Sequence, residues 1–151
     1  MHFYFPPEVH FSLPFPEGAE YAAITHGHPS GYLTAGFLSG MVSYIIEGKT
    51  LAEAIDLCIE QLTRYDGYSE TLEKIELAQK LSVSQKPPEE SIHAIGEGWV
   101  GEEALAISLY CSLKFSDNFE RGTLYFRSKR IFPSRNIHHF SGAGFLLFKI
   151  V

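Results

Sequence analysis

Between Gly31 and Ile46 the chain reads GYLTAGFLSGMVSYII, with no charged side chain. Leu33, Phe37, Leu38, Met41, Val42, Ile45 and Ile46 recur there at the three- and four-residue spacing of one helix face. An uncharged helix of this length has to be covered over most of its surface, so the rest of the chain must supply its partners. Ser30, after Pro29, predicts its N-cap, and Gly48 suits the left-handed position beyond its end. The following segments repeat the pattern. Thr50–Glu53 (TLAE) is a capping box, and the helix it starts buries Leu51, Ile55, Cys58, Ile59 and Leu62 and stops before Gly67. Ser69 predicts the cap of the next helix, with Leu72, Ile75, Ala78 and Leu81 inward. Pro88 fits the first turn of a short helix that ends at Gly96, with Glu89 and Glu90 favourable against its dipole. VGEEALAISLYCSL (residues 100–113) is apolar nearly all round, which predicts a central helix. No stretch between residues 17 and 120 alternates like a strand, and the expected class is all-α.

Ala35, Gly36, Ser39 and Gly40 interrupt the first apolar run with small residues. Glycine inside a helix costs about 1 kcal/mol relative to alanine, so two of them predict close approach of another helix.

At 151 residues the chain has one domain's length, but its composition changes twice. Residues 1–16 hold Pro6, Pro7, Pro14 and Pro16 among five aromatics. Residues 17–120 carry 17 acidic and 6 basic side chains, whereas no Asp or Glu follows Glu120. The expected division is therefore an irregular or diverged segment at 1–16, a helical domain at 17–122, and a basic, aromatic tail at 123–151. If the tail is a genuine variant and not a frame-shifted end, the loose alternation of LYFRSK (124–129) and a strand at GAGFLLFKIV (142–151) predict a short hairpin there.

A net charge of −6 argues against nucleic acid as a partner, and the basic tail contains no recognised module. No window is long and apolar enough for a membrane span, and the N-terminal MHFYFPPEVH does not have the form of a signal peptide. Cys58 and Cys111, without a CxxC pattern, read as buried reduced thiols in a cytoplasmic protein.

Two motifs carry chemistry. In AAITHGHPSGYLTAG (residues 22–36), His26 and His28 run into Pro29. Zinc needs four ligands, or three and water; His2, His10, His93, His138 and His139 stand at no metal-pair spacing, and no carboxylate is near His26 in sequence. Neither cysteine has a thiolate-promoting context, and no serine sits in a nucleophile elbow. The second motif is AIGEGWVGEEALAISLY (residues 94–110). Gly96 and Gly98 flank Glu97 just before a helix, where glycines let backbone N–H groups approach a ligand and the helix N-terminus favours an anion. Trp99, the single tryptophan, has the surface either to pack on a base or to fill a core.

In order along the chain, ITHGHPSGYLTAGFLSGMVSYIIEGKTLAEAI, a helical spacer, IGEGWVGEEALAISLYC and SDNFERG resemble the ADP-ribosylglycohydrolase family, which includes the dinitrogenase-reductase-activating glycohydrolases. The resemblance runs from about Glu17 to Gly122. It implies an all-helical orthogonal bundle and a dinuclear magnesium site. The implied reaction is hydrolysis of the glycosidic bond joining ADP-ribose to a modified side chain or small molecule. It also implies that His26 contacts the distal ribose or the phosphates, and that Gly96, Gly98 and Trp99 line the adenosine side. His28 receives no firm role.

Family members open with a Gly-Asp-rich helix and an Asp-Asp-Thr stretch and close with a Gly-Asp-x-Asp-like motif, whose carboxylates hold magnesium. Neither group is found in these residues, so no catalytic residue and no metal ligand is assigned and no ion is expected to be held. The chain is read as an incomplete bundle, a family fragment whose ends are out of frame or diverged; the alternative is a genuine variant with a new tail. The expected partner is ADP-ribose or an ADP-ribosylated substrate. Apolar faces left uncovered predict self-association. The functional classes are an inactive relative of the enzyme, a non-catalytic ADP-ribose binder, and a structural helical remnant.

Overall fold

The computed structural model describes residues 14–127. Among them are seven helices and no strand: α1 (Pro14–Ala23), α2 (Pro29–Ile46), α3 (Leu51–Leu62), α4 (Ser69–Ser82), α5 (Pro88–Ile95), α6 (Gly101–Lys114) and α7 (Phe119–Arg127). The all-α expectation holds, and the compositional breaks near 17 and 122 fall inside α1 and α7. Pro14 and Pro16 do not oppose α1, because first-turn N–H groups have no intrahelical partner to lose. Leu124–Arg127 belong to α7, so the hairpin expected for LYFRSK is corrected there to a helix, with Leu124 exposed. The strand expected at 142–151 and the segment before Pro14 lie outside the described residues.

The small-residue stripe of α2 receives α1. A methyl on Gly36 would stand 2.8 Å from the Phe15 carbonyl oxygen, and one on Gly40 would meet Cys58 Sγ at 3.0 Å and Phe15 Cβ at 3.3 Å. Phe15 is wholly buried, edge-on to Phe37 and stacked against Tyr65. Ala19 and Gly18 continue the contact toward Gly36 and Ser39, so the two helices run antiparallel along one groove. Two glycines are sacrificed in helix propensity so that an aromatic ring can reach the core.

Helix ends follow local chemistry, with two corrections. The cap of α2 is His28, not Ser30: His28 Nδ1 accepts from the Ser30 N–H at 3.4 Å and contacts Ser30 Oγ at 3.0 Å. An unprotonated imidazole nitrogen does the work usually given to a hydroxyl or carboxylate. Ser69 is the first residue of α4, not its cap; Tyr68 holds that position without a side-chain bond. The Thr50–Glu53 box forms as expected, and these hydrogen bonds hold the Glu53 carboxyl below the usual glutamate range. At the end of α2, Gly48 takes φ +89°, and the Gly48 and Lys49 N–H groups return to the Ile45 and Tyr44 carbonyls, a Schellman closure.

Helix α6 lies at the centre: Leu105 to Ser112 are buried without interruption. It runs parallel to α4. Lys74 meets Glu103 near their starts, and Lys114 donates to the Ser84 carbonyl near their ends at 2.6 Å.

Candidate functional site

The starts of α2, α4 and α6 meet at one end of the bundle. A methyl on Gly101, the first residue of α6, would stand 3.6 Å from the Thr34 side chain and 3.7 Å from the Ser30 carbonyl oxygen in the first turns of α2. His28 Nδ1 lies 3.8 Å from Glu70 Oε2 at the start of α4. Gly67, at φ +77°, lies against the Pro29 ring, which brings the α3–α4 turn to the same end.

His26 sits on the turn between α1 and α2. Its N–H bonds to the Ala22 carbonyl at 2.9 Å, and its side chain lies against Gly31, where a methyl would meet His26 Cβ at 3.1 Å. The ring is exposed, with Nδ1 2.9 Å from Thr25 Oγ1. His26 and Gly101 thus both touch the opening turns of α2, at Gly31 and at Ser30 and Thr34.

The glycine turn precedes α6. Gly96 and Gly98 have φ +151° and +74°, a backbone that side chains resist. Two of its N–H groups are already engaged: Gly96 bonds to the Ile92 carbonyl at 3.1 Å, and Gly98 donates to Glu103 Oε2 at 3.0 Å. Glu97, Glu102 and Glu103 surround the start of α6, so the turn is acidic. Such a surface disfavours a phosphate directly on these amides and suits a neutral nucleoside. Trp99 is 63% exposed, and its ring N–H donates to Glu97 Oε2 at 3.1 Å. It does not fill the core.

A cleft of about 430 Å³ lies elsewhere, at the far end of α6, between Lys86, Pro87, Lys114, Phe115 and Arg121. A fourteen-residue helix spans about 21 Å, so His26 and the glycine turn have no part in it.

No group of three or more His, Cys, Asp or Glu gathers to hold a metal ion among the described residues. The unpartnered buried oxygen of Glu102 is a single donor, far short of the carboxylate set magnesium takes. The described residues do not supply the donors of a dinuclear site. Burial pushes the thiols of Cys58 and Cys111 up to about 12, which removes them as nucleophiles at neutral pH. Among the described residues no helix is long and apolar enough to cross a membrane.

Sequence reading missed Lys74 and Glu103 as partners of the glycine turn. Glu103 lies within the second motif, five residues beyond Gly98 and close enough along the chain to return to that turn. Nothing local marks Lys74, which reaches the turn only because α4 and α6 are parallel.

A search among curated proteins and a search among solved structures each found no match. A family model described as ADP-ribosylglycohydrolase matches residues 8–126, nearly four-fifths of the chain. Its span takes in both motifs, all seven helices but for the last residue of α7, and the Phe15 contact that builds the groove of α2. The chain belongs to the ADP-ribosylglycohydrolase family.

Proposed function

We propose that this chain binds the ADP-ribose moiety at the end of the bundle where α2, α4 and α6 begin, and that it does not hydrolyse the glycosidic bond by itself. The observation that carries the reading is the close approach of Gly101 to Ser30 and Thr34, where even an added methyl would be in van der Waals contact, which brings the start of α6 to the helix turn that His26 packs against. In this reading His26 donates to a ribose hydroxyl or phosphate, and Trp99 offers its exposed face to the base, with Gly96 and Gly98 keeping the turn low enough for close approach. The positive end of the α2 dipole favours the diphosphate, while the acidic glycine turn takes the nucleoside side.

Family members are generally metal-dependent, and magnesium would supply the activated water. The absence of Asp and Glu after Glu120 supports inactivity of this chain alone. Its unpaired cysteines support a cytoplasmic setting. Its acidic charge supports a small-molecule partner over nucleic acid, and exposed Tyr21, Ile24 and Val83 support self-association.

The test pairs two measurements. ADP-ribose should raise the thermal midpoint of the purified chain, and an ADP-ribosylated substrate with magnesium should release no ADP-ribose. Release would overturn the claim of inactivity, and an unmoved midpoint at millimolar ADP-ribose would overturn the claim of binding.

A further inference from the structure

We propose that Lys74 and Glu103 are a positioning pair that sets the shape of the Ile95–Trp99 turn and the placement of Trp99. One ion pair pins the turn at both ends. Glu103 Oε2 accepts the Gly98 N–H at 3.0 Å, and Glu103 Oε1 faces Lys74 Nζ at 3.4 Å. Lys74 also donates to the Ile95 carbonyl, on the other side of Gly96 and Glu97. Both side chains are largely covered, 28% and 20% exposed, so water screens the pair less than a surface one.

Gly96 explains the fit. A methyl there would overlap the Glu103 carboxylate, so the carboxylate occupies the space that a side chain at 96 would need. Lys74 belongs to α4 and Glu103 to α6, and the turn is therefore tied to two helices at once. Beyond the pinned segment comes Trp99, exposed and bonded to Glu97. If either charge is lost, the turn keeps its glycines and loses what selects one conformation for them. Neither residue touches the ligand in this account; they act through the turn. The part that concerns ligand affinity rests on the ADP-ribose reading above.

Trp99 is the sole tryptophan, so its fluorescence reports on this turn with or without ligand. Glu103→Gln is nearly isosteric and retains an acceptor for Gly98, while Lys74→Met keeps the stem and removes the charge; Lys74→Arg is the conservative variant. In Glu103→Gln and Lys74→Met, Trp99 should show faster acrylamide quenching and lower anisotropy at unchanged far-UV helical signal, with ADP-ribose affinity reduced several-fold. Lys74→Arg should restore both, and the double variant should match the worse single one, because the two residues act as a unit. Unchanged Trp99 mobility in Glu103→Gln would overturn the proposal, and so would raised mobility at wild-type affinity. Raised mobility in the variants, in a protein whose wild type binds no ADP-ribose, would support the pair's hold on the turn and refute the binding reading instead.

Discussion

Two glycine-bearing regions of this molecule serve opposite ends. In the groove of α2, Gly36 and Gly40 sit in ordinary helical backbone, and the lost side chains admit Phe15 to the core. In the turn before α6, Gly96 and Gly98 adopt positive φ, and a carboxylate moves into the vacated space. The first region is buried and closes on itself. The second is acidic and exposed at Trp99, and is held by an ion pair from two helices. Glycine spent on packing stabilises the fold, whereas glycine spent on backbone shape makes a surface whose geometry has to be maintained from outside.

The widest contrast comes from perturbing each region once. Phe15→Ala empties the groove of α2 and should cost about 3–5 kcal/mol, read as a lower urea midpoint at unchanged m-value. Gly98→Ala asks alanine to adopt the left-handed backbone at φ +74° and should cost about 1–2 kcal/mol. Its larger effect should be on Trp99 fluorescence, which Phe15→Ala should leave alone until the protein unfolds. Equal costs at the two sites would break the contrast.

A smaller effect separates the core from the surface by chemistry. Burial raises the thiols of Cys58 and Cys111 from 9.0 to about 12, so folding favours the protonated form. Their contribution to stability is complete below pH 9 and is lost as pH rises from there toward 12. Neither thiol should react with a disulfide reagent at pH 8 in the native state, and both should react in urea. A thiol that titrates rapidly in the native protein would show that the core around α2 or α6 opens.

The helices were legible because their apolar spacing and end residues agree: the stripe of α2, the Thr50–Glu53 box, Pro88 at the start of α5 and Gly48 at the end of α2 all act as read. Three features escaped. Pro14-Phe15-Pro16 looks irregular, yet two prolines are harmless in a first turn, and so the anchor of the core was hidden in the segment set apart by composition. His28 outcompetes Ser30 as a cap because its ring lies one residue before Pro29, where the chain is still extended. Lys74 stands 29 residues from Glu103, and only the parallel placement of α4 and α6 joins them. A shared site for His26 and the glycine turn was implied by the resemblance, whereas the tie of α4 to that turn through Lys74 had no signal in the sequence.

The central claim is that His26 and the glycine turn serve one ADP-ribose site, and isothermal titration of ADP-ribose into the wild type and into His26→Ala, each with and without magnesium, tests it most directly. The predicted result is weak binding by the wild type that magnesium does not strengthen, and clearly weaker binding by His26→Ala at the same helical content. Equal affinity of the two proteins, or binding that appears only with magnesium, would contradict the account.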